Sequence, residues 1–336
     1  MQRFFKKLSR RSEPYIFLVL LALCVLIEIR SGQFFTPNNI VDKLSALVVP
    51  GIFAVGAFMV IVSGGIDVSF MSVALFGGYV STLLMMQTGI DNIAFPFVVS
   101  TLIGIVLGLC NALLVHWLRL PAFIITLGTQ NLFHGIMTTF ISDSTIGSGI
   151  LPSSLGRFGS AALIQFETES GLMSLTASFA PVAIAVVLTW FIINRTMIGR
   201  GVMALGNSEE SAVRAGFRPL KIRLFVYAYI GALAGIMGVM YIAQVRAAYP
   251  NKLVGDELMV IAGAVIGGTK STGGQGKVLG VILGTLVIYL LNSTLILLGL
   301  SSSWNDLFVG ALLVISVAIT SYQTRVKNRK NLIFTE

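Results

Sequence analysis

Apolar stretches of bilayer-spanning length recur along nearly the whole chain, at about 15–30, 43–62, 66–86, 94–117, 121–141, 178–194, 223–245, 257–269, 277–299 and 304–322. No other feature restricts the fold as much. Inside hydrocarbon every backbone N–H and C=O needs an internal partner, which leaves closed barrels and α-helices. Long runs without polar alternation select the helix. The expectation is an all-α polytopic membrane protein with about ten transmembrane helices, forming a single domain over 1–336. The eighth stretch is short and Gly-rich, so a broken or partly re-entrant helix is expected there. Only 11% of residues are charged, against about 25% in soluble domains.

Lys and Arg orient the chain. With the N-terminus inside, the outer segments hold five of the 23 Lys and Arg residues (Arg30, Lys43, Arg157, Arg246 and Lys252), and the remaining 18 lie inside. This asymmetry places both termini in the cytoplasm. The same distribution argues against nucleic acid as the partner of the +9 net charge, because the cations sit in short loops and at the termini. The N-terminal order of charge then apolar run resembles a signal peptide. It has no small-x-small cleavage site, so it reads as an uncleaved first span.

The 194–223 segment is the chain's longest polar interruption on the inner side. It carries Arg195, Arg200, Arg214, Arg218, Lys221 and Arg223, with Glu209 and Glu210 its only acids. Its centre reads as a short capped helix, with Asn207 as N-cap, Glu210 three residues on as in a capping box, and Gly216 at the left-handed C′ position. Such a helix suits docking onto a partner outside the membrane; the plainer use is a solvated connector. On the outer side, about 142–177 is rich in Ser and Gly and bears Asp143, Glu167 and Glu169. Its readings are a mobile cover, a docking surface or a linker.

Glycine-rich breaks recur at 62–69 (with Gly64, Gly65 and Asp67) and at 266–277 (with Gly267, Gly268, Gly273 and Gly274). Each is either a tight turn or a place where short helix ends meet. Asp67 is expected to cap the third span through backbone N–H groups; the competing reading is a proton or ion site. It has no second buried carboxylate as a partner in the sequence. The second break imitates a phosphate loop, but Lys277 is followed by Val278 and Ser271 stands where the first Gly belongs. No nucleotide site, metal-ligand spacing or nucleophile–base constellation is visible. Cys24 and Cys110 read as packing residues, and His116 and His134 as loop-end or packing histidines.

Three segments carry a family resemblance: VIVSGGIDVSFMSVALFGGYV (60–80), RLPAFIITLGTQNLFHGI (119–136), and GRGVMALGNSEESAVRAGF through VIGGTKSTGGQGKVLGVILGTLV (199–287). The chain resembles the membrane-spanning permease subunit of bacterial ABC importers for simple sugars, the ribose-type permeases, which are related to branched-chain amino-acid permeases and include those for furanose sugars and autoinducer-2. The resemblance implies a type II importer-like arrangement of ten spans, with spans two to five and seven to ten as inverted repeats. It implies a homodimer or heterodimer of permeases, two ABC ATPase subunits that hold the ATP and Mg, and an extracytoplasmic sugar-binding protein. The chain itself would bind no cofactor and sit in the bacterial inner membrane. The coupling helix falls on about 208–215, with Ser208, Glu209, Glu210, Arg214 and Gly216 as the residues facing the ATPase; an Arg214–Glu210 pair within the helix competes with that use.

Phe70-Met71 departs from the small pair many sugar permeases carry after Ile66-Asp67-Val68-Ser69, which bears on ribose as substrate. Candidate path residues are Asn111, Gln130, Asn131, Gln244 and Asn292, each of which also suits an interhelical hydrogen bond. The rival classes are an ion-gradient carrier using Asp67, Glu28 or Asp306, an amino-acid or nucleoside permease of the same architecture, and an intramembrane enzyme.

Overall fold

The computed structural model describes residues 13–32, 34–168, 171–295 and five positions between 304 and 314. The helices are α1 (Glu13–Ser31), α2 (Pro37–Ala46), α3 (Val48–Val62), α4 (Phe70–Thr88), α5 (Ala94–Leu118), α6 (Ala122–Ile136), α7 (Ser153–Ser160), α8 (Phe179–Arg195), α9 (Met197–Asn207), α10 (Glu209–Arg214), α11 (Pro219–Val245), α12 (Glu257–Ile266) and α13 (Val278–Leu295). A π-turn over Met137–Ile141 extends α6, so together they fill the 121–141 stretch. Among the described residues, four single helices are long and apolar enough to cross a membrane. Two pairs bent by 42° and 75° raise that to six. The second pair is better divided. Thr196 caps α9 afresh by accepting from the Gly199 N–H, and α9 belongs to the charged loop rather than to the span α8. Of the tenth stretch, 304–322, only those five positions are described, and both charged termini lie outside the described residues.

The eighth stretch is shorter than expected. α12 ends at Ile266 and rises about 15 Å, half of the ~30 Å hydrocarbon core. The rest of the crossing falls to 246–256, which is not helical. Ala247, Ala248 and Leu253 are buried there, so protein covers the irregular backbone as the solvent argument requires.

The core is built around α3 and α11. Side chains from Ile52 to Val62 on α3 are almost wholly buried, as is most of α11 between Ile230 and Ala243. Outer faces remain apolar: Val98, Leu102 and Val106 on α5 and Ile184 and Val187 on α8 are exposed, as expected for lipid contact.

α5 and α11 meet backbone to backbone. Gly104 and Gly108 face Gly231 and Gly235, and a β-carbon on Gly104 or Gly231 would lie 2.9 or 2.8 Å from the partner's carbonyl carbon. Ser100 Oγ closes the seam by donating to the Gly235 carbonyl at 2.7 Å. Two G-x-x-x-G patterns, 104–108 and 231–235, spell this contact in the sequence.

The 142–177 segment is a folded cap. It contains α7 and an antiparallel hairpin, β1 (Ala162–Thr168) with β2 (Gly171–Thr176), in the register Ile164↔Leu175 and Gln165↔Ser174. Asp91 fastens it from the α4–α5 turn, accepting from the Ser154 N–H at 2.8 Å and from the Ser153 hydroxyl, with Arg157 at 3.7 Å. These hydroxyl and amide donors, then the Arg157 charge, hold its carboxyl down at about 2. Tyr79 donates to the Ser144 carbonyl at 2.6 Å, and Ile146 bridges Ala248. This hairpin is the only strand pair among the described residues.

Candidate functional site

The two glycine breaks meet each other and the charged loop. The Gly274 N–H donates to the Val62 carbonyl at 2.8 Å. Gly273 abuts Gly64, and Gly206, at the end of α9, fits between Val62 and Gly274. A β-carbon on Gly206 would be 2.5 Å from the Gly274 nitrogen, and one on Gly273 would be 2.7 Å from the Gly64 α-carbon. Gly64, Gly268, Gly273 and Gly274 all have positive φ; Gly65 and Gly267 do not, and serve by their small size, Gly267 against Gly280. The breaks are therefore both turns and meeting points, and α3, α9 and the α12–α13 turn end in one junction.

Here the N-cap expectation is corrected. Asn207 closes α9 instead of opening α10: its amide donates to the Met203 carbonyl at 2.9 Å and the Gly274 carbonyl at 3.3 Å. Ser208, with extended backbone, caps α10 by accepting from the Ser211 N–H. The capping box fails because the glycine junction claims Asn207 first. Gly216 follows α10 at φ +86° as expected. Glu210 and Arg214 form the helix's own exposed pair at 3.7 Å. Glu209 points the other way and takes Arg223 of α11 at 2.7 Å. The opposite end of that guanidinium donates to His116 Nδ1 at 3.0 Å.

Inside the bundle, α6 presents a buried polar stripe of Thr126, Thr129 and Gln130 at helical spacing. At one end Thr126 accepts from the Val68 N–H at 3.2 Å. Asp67 is 3% exposed. Its Oδ1 accepts from the Ser69 N–H and hydroxyl, both at 2.7 Å, so it caps the turn before α4 rather than the helix's own first turn. Asn111 Nδ2 donates to Ser69 Oγ at 2.7 Å, extending the chain to α5. At the other end Gln130 Nε2 donates to Glu257 Oε1 at 3.0 Å, while the Gly255 N–H donates to Oε2 at 2.8 Å. Glu257 is 8% exposed, although it follows directly on the irregular 246–256 segment. It sits in the first turn of α12 and folds inward, where the helix N-terminus favours its charge. A second buried carboxylate thus exists, although it is hydrogen-bonded like Asp67.

The remaining candidates separate. Gln244 Nε2 donates to the Ser45 carbonyl at 3.2 Å. Asn131 is exposed and bonds its own helix at Leu127. The Asn292 side chain lies outside the described residues, as does Asp306. Glu28 closes the α1–α2 turn by accepting from Phe34 and Phe35 N–H groups. The unsatisfied oxygens Asn111 Oδ1, Gln130 Oε1 and Gln244 Oε1 are buried, which leaves these amides free capacity toward a ligand or a water.

Two cavities flank this polar interior. One, of about 200 Å³, opens toward the hairpin end between α3, α4, α11, α12 and α13. Aromatic and apolar walls (Phe53, Met71, Tyr241, Tyr289) surround a few polar groups, Lys252, Asp256 and Thr285, the general make-up of a small-molecule site. Apart from Met71 and Lys252, none of these residues stands out in the sequence, because they converge from five helices and a loop. Phe70 and Met71 are both buried; Phe70 packs on Phe53 at 5.1 Å and Met71 reaches the cavity. Met71 is therefore part of the cavity wall, and Phe70 backs it through Phe53. The second cavity, of about 600 Å³, lies at the charged-loop end beside Gly64, Gly65, Arg119, Glu209 and Arg223. Among the described residues no group of His, Cys, Asp and Glu could hold a metal.

Residues 39–317 match the family described as "Branched-chain amino acid transport system / permease component". The chain belongs to this permease family. It is 30% identical over 321 residues to the ribose import permease protein RbsC of Escherichia coli K12, covering 95% of this chain and 96% of that one. It is 31% identical over 303 residues to the D-allose transport system permease protein AlsC of the same organism, covering 90% and 89%. Against the autoinducer 2 import system permease protein LsrC of Photorhabdus laumondii it is 29% identical over 332 residues, covering 97% and 94%. The family and the apolar helices together make it a multi-pass, all-α membrane permease.

Proposed function

We propose that this chain is the permease subunit of an ATP-driven inner-membrane importer for a simple sugar or sugar-like molecule. The observation that carries the reading is similarity to sugar import permeases over 95% of the chain. In this reading the termini and the 194–223 loop face the cytoplasm and the hairpin end faces outward. Two permease copies enclose the path, partner ATPase subunits hydrolyse ATP, and a binding protein delivers the sugar at the hairpin end.

The geometry supports a specific transmission route. α10 is the coupling helix, offering Glu210 and Arg214 to the ATPase. Its N-cap Ser208 follows Asn207, which bonds Gly274, which bonds Val62. Beyond that junction run α3 and α12, and both line the 200 Å³ cavity at their far parts through Val49, Phe53, Met259 and Val260. A displacement of α10 thus reaches the cavity walls through one side-chain link, the Asn207 amide on the Gly274 carbonyl, and from there through packed backbone. Glu209 serves inside the chain, tethering α10 to α11 through Arg223.

Uptake of labelled ribose, allose and autoinducer-2 into vesicles holding the chain, its ATPase and its binding protein tests this reading. ATP-dependent uptake of one of them, abolished by Glu210→Lys with normal membrane insertion, is the expected result. Uphill uptake without ATP that disappears in Asp67→Asn would transfer the chain to the ion-driven carriers.

A further inference from the structure

The 600 Å³ cavity at the charged-loop end is polar, and its charges do not balance. Arg119, Arg223, His116 and Glu209 all line it. Glu209 is its one carboxylate and is already paired with Arg223. No carboxylate among the described residues pairs with Arg119. His116 accepts from Arg223 at Nδ1, so that imidazole nitrogen carries no proton, because a guanidinium only donates. The lining therefore holds one uncompensated positive charge. Arg223 spends two of its five N–H donors on Glu209 and His116.

A second observation points to a ligand. Tyr227 lines the same cavity, is 2% exposed, and its hydroxyl has no hydrogen-bond partner. A buried hydroxyl without a partner is destabilising, and natural structures seldom leave one so. Ser63 adds a hydroxyl that donates to Val60 and keeps its acceptor side.

We propose that this cavity binds a phosphate-type anion, held by Arg119 and the spare donors of Arg223, with the Tyr227 hydroxyl donating to it. Two guanidinium groups and a phenol match the oxygens of a phosphate monoester. The anion competes with Glu209 for Arg223, so binding loosens the tether between α10 and α11. Free phosphate esters and an anionic lipid headgroup share this chemistry.

The test uses the full chain in nanodiscs of zwitterionic lipid, titrated with inorganic phosphate at constant ionic strength and read by calorimetry. It needs no transport partner, so its outcome is independent of the import reading. Binding is expected, weakened about tenfold or more in Arg119→Gln and in Tyr227→Phe, as for a lost charge-assisted hydrogen bond. Tyr227→Phe removes only an unpartnered hydroxyl, so its unfolding temperature without phosphate should equal or exceed the parent's, which separates lost binding from lost folding. Hydrogen exchange over 208–215 should speed up when phosphate is added. If phosphate does not bind but phosphatidylglycerol is retained by the parent and lost from Arg119→Gln in native mass spectrometry, the source is the lipid headgroup. Absence of both, or phosphate binding indifferent to both variants, overturns the site. Phosphate binding with unchanged exchange over 208–215 overturns its link to α10.

Discussion

Gly273→Ala probes the glycine junction most directly. Gly273 has φ +89°, and an added β-carbon would meet three backbone atoms: the Gly64 α-carbon at 2.7 Å, the Gly64 nitrogen at 2.8 Å and the Gly206 oxygen at 2.9 Å. Ordinary contact begins at 3.4 Å, so the strands of the junction must part by roughly 0.5–0.7 Å, and no side chain can rotate away to make room. The positive φ costs about 1–3 kcal/mol for a non-glycine residue. Overpacking adds about 1–3 kcal/mol. The stiffer unfolded chain returns about 0.4–1 kcal/mol. The net destabilisation is therefore about 1–6 kcal/mol. Gly216→Ala separates the two costs, since Gly216 has a closely similar φ of +86° and nothing within 4 Å of its β-carbon position. Gly128→Ala, in open space on a helix, is the unstrained reference, expected to be mildly stabilising. Thermal unfolding in detergent should rank Gly128→Ala above Gly216→Ala, and Gly216→Ala above Gly273→Ala. ATP-dependent uptake should fall in Gly273→Ala and persist in Gly216→Ala at a temperature where both are folded. Equal unfolding temperatures for the 216 and 273 variants would refute the close packing of the junction.

Gln130→Ala removes one donor from the buried Glu257 carboxylate, and a loss of about 1–3 kcal/mol is expected, read as a lower unfolding temperature and reversed in part by Glu257→Gln in the same chain. Asp91 gives a pH dependence. Its folded carboxyl lies at about 2, below the ordinary 3.8, so its stabilising share is complete above the ordinary value and disappears as pH falls through about 2. Protease cleavage within 150–160 should accelerate over that acid window, and Asp91→Ala should show the faster cleavage already at neutral pH. Glu209→Gln weakens the Arg223 tether at 2.7 Å, so hydrogen exchange over 208–215 should rise without a change at 153–160.

What the sequence made legible was whatever depends on one segment alone. Apolar length set the helices, so the expected 94–117 and 178–194 stretches recur as Ala94–Leu118 and Phe179–Arg195. Gly216 was legible because a helix C′ position needs a positive φ locally. Whatever depends on a remote partner was not legible. Asn207 and Ser208 are both good N-caps, and only Gly274, 67 residues away, decides between them. Glu257 looks like a loop acid until Gln130 is found 127 residues off. The 200 Å³ cavity joins residues from 49 to 289, and no local pattern announces such a wall. The seam between α5 and α11 is the intermediate case. Its G-x-x-x-G patterns stand in plain sight at 104–108 and 231–235, yet glycine is common in membrane helices and the pairing of one motif with the other is a tertiary fact.

That seam also limits how the molecule can move. Most helix contacts are cushioned by side chains that can change rotamer as one helix slides on another. Between Gly104, Gly108, Gly231 and Gly235 there is no such cushion, because carbonyl faces α-carbon directly. A slide of about 1.5 Å, one residue's rise, would already shift each glycine off the carbonyl it faces, and no rotamer change can make room for it. α5 and α11 are in effect a single beam two helices thick. Any opening and closing must then be hinged around that beam, and α12 can swing only together with α13, to which Gly263, Gly267, Gly280 and Gly284 hold it by the same close approach.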